Sequence, residues 1–176
     1  MLQIYNTLSR SVEEFTPINA PKVGIYTCGP TVYREVHIGN FRTYIGADVL
    51  RRVLLFHNFN VTHVKNITDV GHMRTQLTNE GHAPDQIDPI IEEALKQGKT
   101  PLEIARHFTN LYLEDEKKLH ILPATKYPKA TEHIEEMIEI IKKLLDKGFA
   151  YETDGTIYFD VQKFKNYGKL SGNTLD

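Results

Sequence analysis

Cysteine is nearly missing from this sequence: Cys28 is the single one among 176 residues, which excludes an intrachain disulfide. Excess charge of either sign is missing too. With 21 Lys and Arg against 23 Asp and Glu, the net charge is -2 and the pI near 6.4. That excludes the strong global basicity of a dedicated nucleic-acid binder, while leaving room for a local basic face. No apolar run approaches the roughly 18 residues that would span a membrane. The N-terminus, MLQIYNTLSR, lacks the charged start and apolar stretch of a signal peptide, so the chain reads as cytoplasmic, with no membrane partner. Internal repeats and low-complexity segments are absent as well. What is there is an ordinary globular composition, 40% hydrophobic and 25% charged with mean hydropathy -0.38. Such a chain can bury a sizeable core and is not intrinsically disordered. Its length allows one large domain or a domain and a half, at about 100–200 residues per domain.

Local pattern divides the chain into elements. Ile4 to Leu8, then Ser9-Arg10-Ser11, then Val12 to Pro17 read as a short hairpin. Val23 to Thr27 is a compact β-prone run, broken by Cys28-Gly29-Pro30, which predicts a buried strand entering a loop. Asn40 to His57 carries Phe41, Tyr44, Ile45, Val49, Val53 and Phe56 at helical spacing, predicting an amphipathic helix with those residues inward. Asn60 to Ile67 returns to β-prone residues. Strand, loop, helix and strand in that order take their most economical form as a right-handed parallel crossover, so the fold class is α/β. Val70 to Asp88 reads as a long loop, and its His72 and His82 fit no local metal-ligand pattern.

Further on, Asp88-Pro89 and Gly98 bracket a helix, and Thr100-Pro101-Leu102-Glu103 is a capping box opening another, with Leu102, Ala105, Phe108, Tyr112 and Leu119 inward. Past the breaks at Leu122-Pro123 and Tyr127-Pro128, Ile134, Met137, Ile138, Ile141, Leu144 and Leu145 mark a helix ended by Gly148. Glu135, Glu136, Glu139, Lys142, Lys143 and Lys147 form its solvated face. Phe149 to Tyr151, the turn Glu152-Thr153-Asp154-Gly155 and Thr156 to Val161 predict a hairpin, with Ile157, Phe159 and Val161 on one face. No capping or closing element precedes Leu175-Asp176, so the chain reads as cut.

His37-Ile38-Gly39-Asn40 falls between the first sheet strand and its helix, at the carboxyl edge where doubly wound folds bind ligands. Two polar side chains around a glycine, at a helix end with free N–H groups and a positive dipole, make a phosphate site. Gly39 would let a flat base approach the backbone. The tetrapeptide alone equally admits His37 as a helix cap and Gly39 as a turn. Cys28 alone reads more often as a small buried hydrophobe than as a ligand.

Context narrows these alternatives. Tyr26-Thr27-Cys28-Gly29-Pro30-Thr31-Val32-Tyr33, then His37-Ile38-Gly39-Asn40, Arg42-Thr43 and Asn66-Ile67-Thr68-Asp69, in this order and spacing, closely resemble the cysteinyl-tRNA synthetase family. The similarity runs from Tyr5-Asn6-Thr7-Leu8 to Tyr167-Gly168-Lys169-Leu170-Ser171. The resemblance implies the first half of the Rossmann-like doubly wound parallel sheet of a class I synthetase catalytic domain over residues 1–120. It implies the beginning of an α+β connective insertion subdomain over 121–176. It also implies ATP-dependent activation of cysteine to cysteinyl-adenylate and transfer to tRNA(Cys), by a full-length protein that is a monomer.

On matching positions, the family's HIGH signature falls on His37, Ile38, Gly39 and Asn40, giving His37 and Asn40 as catalytic residues. Thr31, His37, Gly39 and Asn40 would bind ATP, which comes with Mg. An amide at Asn40 donates to a phosphate oxygen but carries no imidazolium charge, which implies binding without acid catalysis. Cys28 would be a zinc ligand, the metal taking the substrate's thiolate directly, and Cys28, Gly29, Thr31 and Thr68 would form the amino acid pocket. Zinc stabilises a thiolate far better than serine's harder, less acidic oxygen, so no editing site is required.

Two parts of that family's machinery are not in this stretch. A zinc site needs three or four protein ligands, and the remaining ones would lie beyond Asp176. The KMSKS signature is absent, and Lys169-Leu170-Ser171-Gly172 does not replace it. The chain thus reads as an N-terminal portion, inactive alone. Two other functions stay open: a related cysteine ligase acting on a small amine, and a freestanding non-catalytic paralogue that binds nucleotide or a partner protein.

Overall fold

A computed structural model describes residues 2–70 and 88–174. The predicted loop with His72 and His82 lies, from 71 to 87, outside the described residues. Two compact units emerge, one of residues 18–133 and one of 1–17 with 134–176. In chain order, the second unit opens the sequence with a hairpin of β1 (Gln3–Asn6) and β2 (Ser11–Glu14), antiparallel with Gln3 opposite Glu14.

The unit of 18–133 is mixed α/β. Its β3 (Lys22–Thr27) leads through a loop into α1 (Ile38–Phe56) and returns as β4 (Asn60–Lys65). β3 and β4 are parallel, in register from Lys22 opposite Asn60 to Thr27 opposite Lys65, as a helical crossover requires. Parallel pairing continues past the strand ends, where Thr31 bridges Thr68. On the other edge of β4, Val64 bridges Lys126 and Ile67 bridges Lys129. Lys65 N–H donates to the Lys126 carbonyl at 3.0 Å and Ile67 N–H to Pro128 at 2.8 Å. β4 is thus flanked on both sides, and its period-two alternation turns His63, Lys65 and Ile67 into the interior.

Two helices follow, α2 (Pro89–Gln97) with both predicted ends and α3 (Pro101–Lys118) with its predicted start. Asp88 caps α2 through the Ile90 N–H, and Gly98 closes it at φ 62, a left-handed conformation that suits a residue without Cβ. Thr100 and Glu103 form the reciprocal capping box of α3.

Two expected inward faces are corrected. In α1 the buried residues are Phe41, Tyr44, Asp48 and Leu54, whereas Val49 and Phe56 are 54% and 84% exposed and Ile45 is exposed too. Asp48 goes inside because its carboxylate accepts the Leu122 N–H at 2.9 Å and pairs with Arg52. In α3 the interior stripe is Ile104, Ala105, Tyr112 and Glu116, while Leu102 and Leu119 are exposed. The helix is rolled so that Glu116 meets Lys65 of β4. Phe41, Tyr44 and Tyr112 form one aromatic cluster, with centroids 5.4–6.3 Å apart, packed with Val32, Ile67, Ala105 and Ile121. Ile90, Ala94 and Ile104 form a second cluster, with Tyr33 and Phe108 against it. Each large apolar side chain fully buried here contributes about 1.5–3 kcal/mol.

The other unit continues with α4 (Ile134–Asp146), β5 (Ala150–Thr153) and β6 (Thr156–Phe159). β5 and β6 pair antiparallel. The turn is tighter than predicted: Asp154 and Gly155 alone connect the strands, both at positive φ (53 and 75), as a two-residue primed turn requires. Val161, expected on the strand face, starts a short 3-10 turn instead. Glu139 and Lys143 of α4 pair at 3.8 Å on the solvated face. No described helix is long and apolar enough to cross a membrane.

Candidate functional site

The loop after β3 is held by Asn66. Its Oδ1 accepts the Tyr26 hydroxyl at 2.9 Å and the Gly29 N–H at 3.1 Å, and its Nδ2 donates to Thr68 Oγ1 at 3.1 Å. One amide therefore ties together Gly29 and Thr68, which are far apart in sequence. The backbone adds Val32 N–H to the Thr68 carbonyl at 3.1 Å and Thr68 N–H to the Pro30 carbonyl at 3.0 Å. Glycine is required at 29, because a Cβ there would lie 1.8 Å from the Asn66 carbonyl oxygen. Cys28, one residue earlier, presents an exposed free thiol.

Across the loop, His37 is the N-cap of α1, extended at φ -95 and ψ 168, with Nδ1 accepting the Gly39 N–H at 3.1 Å. The Asn40 N–H donates to the His37 carbonyl at 2.9 Å. The expected free N–H groups at Gly39 and Asn40 are thus already engaged by His37. With Nδ1 acting as acceptor, Nε2 is the ring nitrogen left to donate. The Asn40 side chain is exposed and makes no hydrogen bond among the described residues.

A cleft of about 190 Å³ opens between loop and helix. Gly29, Thr31 and Asn40 line it, joined by Tyr33, Arg34 and Tyr44. Cys28, His37, Gly39 and Thr68 do not line it; Thr68 is tied to the lining residue Thr31 by a parallel bridge, and Asn66 bonds both Thr68 and Gly29. Burial, with the Glu116 carboxylate and Cys28 as lesser causes, pushes the Tyr44 phenol up to about 12 and keeps it neutral.

Beneath the cleft lies a buried polar cluster that the sequence pattern did not announce. Lys65 is ion-paired with Glu116, and the Glu116 carboxylate also accepts the hydroxyls of Tyr112 at 2.6 Å and Tyr127 at 2.9 Å. His63, on the same face of β4, makes a 2.9 Å bond between Nε2 and Thr27 Oγ1, and its Nδ1 is buried without a partner among the described residues. Burial and the nearby Lys65 and Arg51 charges hold His63 below the usual imidazole range, only partly opposed by Glu116 and Asp48. The available signal is the alternation His63, Lys65, Ile67 in a β-prone run flanked by other segments, which puts polar groups inside.

Among the described residues, no group of three His, Cys, Asp or Glu side chains gathers in a way that could hold a metal ion. Cys28 suits one position of a zinc site, being an accessible thiol next in sequence to the cleft-lining Gly29, but it is a single donor.

Comparison with known proteins gives a consistent result. A family model described as the tRNA synthetases class I (C) catalytic domain matches residues 14–176. The chain is 45% identical over 176 residues to a cysteine–tRNA ligase of Methanococcus maripaludis, covering 100% of this chain and 34% of that protein. It is 46% identical over 175 residues to one of Pyrococcus horikoshii and 45% to one of Desulfitobacterium hafniense, each match covering 99% of this chain and 33% of the relative. The chain thus spans about a third of the length of the curated relatives it matches.

Proposed function

The chain belongs to the tRNA synthetases class I (C) catalytic domain family, and from that premise we propose that the complete protein is a cysteine–tRNA ligase. It activates cysteine with ATP, releasing pyrophosphate, and transfers the cysteinyl group from the adenylate to tRNA(Cys). Residues 1–120 supply the N-terminal half of the nucleotide-binding domain, and residues 121–176 begin the connective insertion; as packed units the chain divides at 17/18 and 133/134. The protein works in the cytoplasm as a monomer.

The observation that carries this reading is the convergence of Gly29, Thr31 and Asn40 on one cleft, with Asn66 bonding both Gly29 and Thr68. Attack of a carboxylate on the α-phosphate needs positioning and neutralisation of charge on phosphate oxygens, not a covalent intermediate. ATP, carried with Mg, is bound by Thr31, His37, Gly39 and Asn40. His37 Nε2–H and the Asn40 amide donate to phosphate oxygens, His37 being oriented by its cap bond to Gly39. Cys28, Gly29, Thr31 and Thr68 receive the amino acid. When bound by Cys28 with donors from elsewhere in the complete protein, zinc would supply thiolate stabilisation that favours cysteine over serine.

The test is cysteine-dependent exchange of pyrophosphate into ATP by the complete protein. Exchange is expected, with serine inert; its absence rejects the reading. His37→Ala should cost about 2–4 kcal/mol of transition-state stabilisation, lowering kcat and kcat/KM together, as loss of one preorganised donor does. Normal kinetics per folded molecule with a lowered Tm would leave His37 a cap only.

A further inference from the structure

The ion pair below the cleft is out of water on both sides: Lys65 is 0% and Glu116 3% exposed. The carboxylate is further bonded by Tyr112 and Tyr127, and the Tyr127 oxygen accepts the Ala124 N–H at 2.9 Å. Stability does not account for such a pair. Desolvating two charges costs about what their attraction returns, and apolar replacements of similar volume are often neutral or stabilising. The geometry points elsewhere. The Lys65 ammonium stands 5.1 Å from the centroid of Tyr44, whose ring lines the cleft, and 5.9 Å from that of Tyr112. The Lys65 stem lies under the loop, where a Cβ built on Gly29 would come 3.2 Å from Lys65 Cγ. The next residue is Asn66, which holds Gly29 and Thr68.

We propose that Lys65 and Glu116 form a positioning pair for the cleft, fixing the Tyr44 wall and the floor beneath Cys28-Gly29 and thereby setting affinity for the amino acid substrate. The pair joins β4 to α3 and, through Tyr127, to the 124–127 segment. It acts through Tyr44 and the loop and touches no substrate itself.

The first arm of the test uses Cys28 as a reporter, because it is the chain's single thiol. Lys65→Met/Glu116→Gln removes both charges together and leaves the amide oxygen to accept the Tyr112 and Tyr127 hydroxyls. We expect its Tm to stay within about 4 °C of the unvaried chain. Its Cys28 should react with a maleimide at a rate changed about threefold or more, after correction for the unfolded fraction. An unchanged rate in the folded variant overturns the proposal. Should the double variant fail to fold, Tyr127→Phe removes two hydrogen bonds at a half-buried position, the one to Glu116 and the one from the Ala124 N–H, and an alkylation rate equal to that of the unvaried chain overturns the proposal equally.

The second arm rests on the reading of the cleft as the cysteine-activating site. In the complete protein, the double variant should raise the KM for cysteine about tenfold, with the KM for ATP changed less than about twofold, as misplacement of one wall predicts. Unchanged constants, or equal rises in both, overturn the positioning role. No exchange by the unvaried protein would strike the activation reading instead, and the alkylation arm would then decide the pair.

Discussion

The unit of 18–133 and the unit of 1–17 with 134–176 bury their side chains in opposite ways. The second holds the most regular apolar stripe of the chain, Ile134, Met137, Ile138 and Ile141 along α4, yet no residue of that helix is buried. Its hairpins pair neighbours in sequence, so each is closed by a local turn. The first has a less regular stripe along α1 but buries Phe41, Tyr44 and Leu54, together with charged residues Asp48, Lys65 and Glu116. Its pairings are long-range: β3 with β4, β4 with 126–129, and Lys65 with Glu116. An apolar stripe offers a face, and only a second surface laid against it makes a core. Where that surface also brings charged partners, polar groups can go inside without being orphaned.

The contrast is most open to breaking at matched isoleucines. Ile104→Ala, at a position with 0% exposure, should cost about 2–5 kcal/mol of unfolding free energy in urea titration, since it opens a cavity in the second cluster. A loss below about 1 kcal/mol would show that this unit is packed no more tightly than the other.

Next in size is Gly29→Ala. The new methyl would meet the Asn66 carbonyl oxygen, which is backbone and cannot swing aside, so a loss of about 1–3 kcal/mol is expected, with weakened pairing around Thr31 and Thr68. Stability within about 0.5 kcal/mol of the parent would mean that the loop yields and that Asn66 does not clamp it.

A smaller effect, read in pH, sharpens the account of the buried polar face. Because His63 is held below its ordinary value near 6.5, the folded chain resists a proton that the unfolded chain accepts. Its contribution is whole above about pH 6.5 and is lost as pH falls from there through the lower folded value. His63→Gln should flatten the decline of Tm between about pH 6.5 and 5 relative to the parent, a difference measurement that cancels the remaining histidines. Parallel Tm profiles would show that His63 takes its proton as easily folded as unfolded.

The smallest expected change belongs to the other unit. Ile138→Ala, at 45% exposure, should alter stability by no more than about 0.5 kcal/mol in the same chain. A loss approaching that of Ile104→Ala would erase the contrast.

Much of the candidate site is legible in the amino-acid order, because its residues are contiguous. Cys28 to Thr31 and His37 to Asn40 are short runs whose breakers and cap chemistry place them at the ends of β3 and α1. The cap function of His37 and the engaged N–H groups at Gly39 and Asn40 are only half legible there. A histidine before a helix states that it can cap, not which nitrogen will do so. Asn66 opens the run Asn66-Ile67-Thr68-Asp69, but nothing local shows its clamping role, since its partners Tyr26 and Gly29 are 40 and 37 residues away.

By itself the sequence determined what local chemistry decides: the caps of α2 and α3, the turn at Asp154-Gly155, the β-prone runs either side of α1, and the motif order that identifies the family. Each depends on residues within a few positions, where backbone sterics and one hydrogen bond choose the outcome. Only the tertiary structure decided which stripe of α1 and α3 faces inward, that 125–130 lies along β4, and that Lys65 meets Glu116 across 51 residues. The reason is physical: a buried charge is tolerable only beside its partner, and where that partner lies is set by the packing of the whole unit rather than by the residues around either charge.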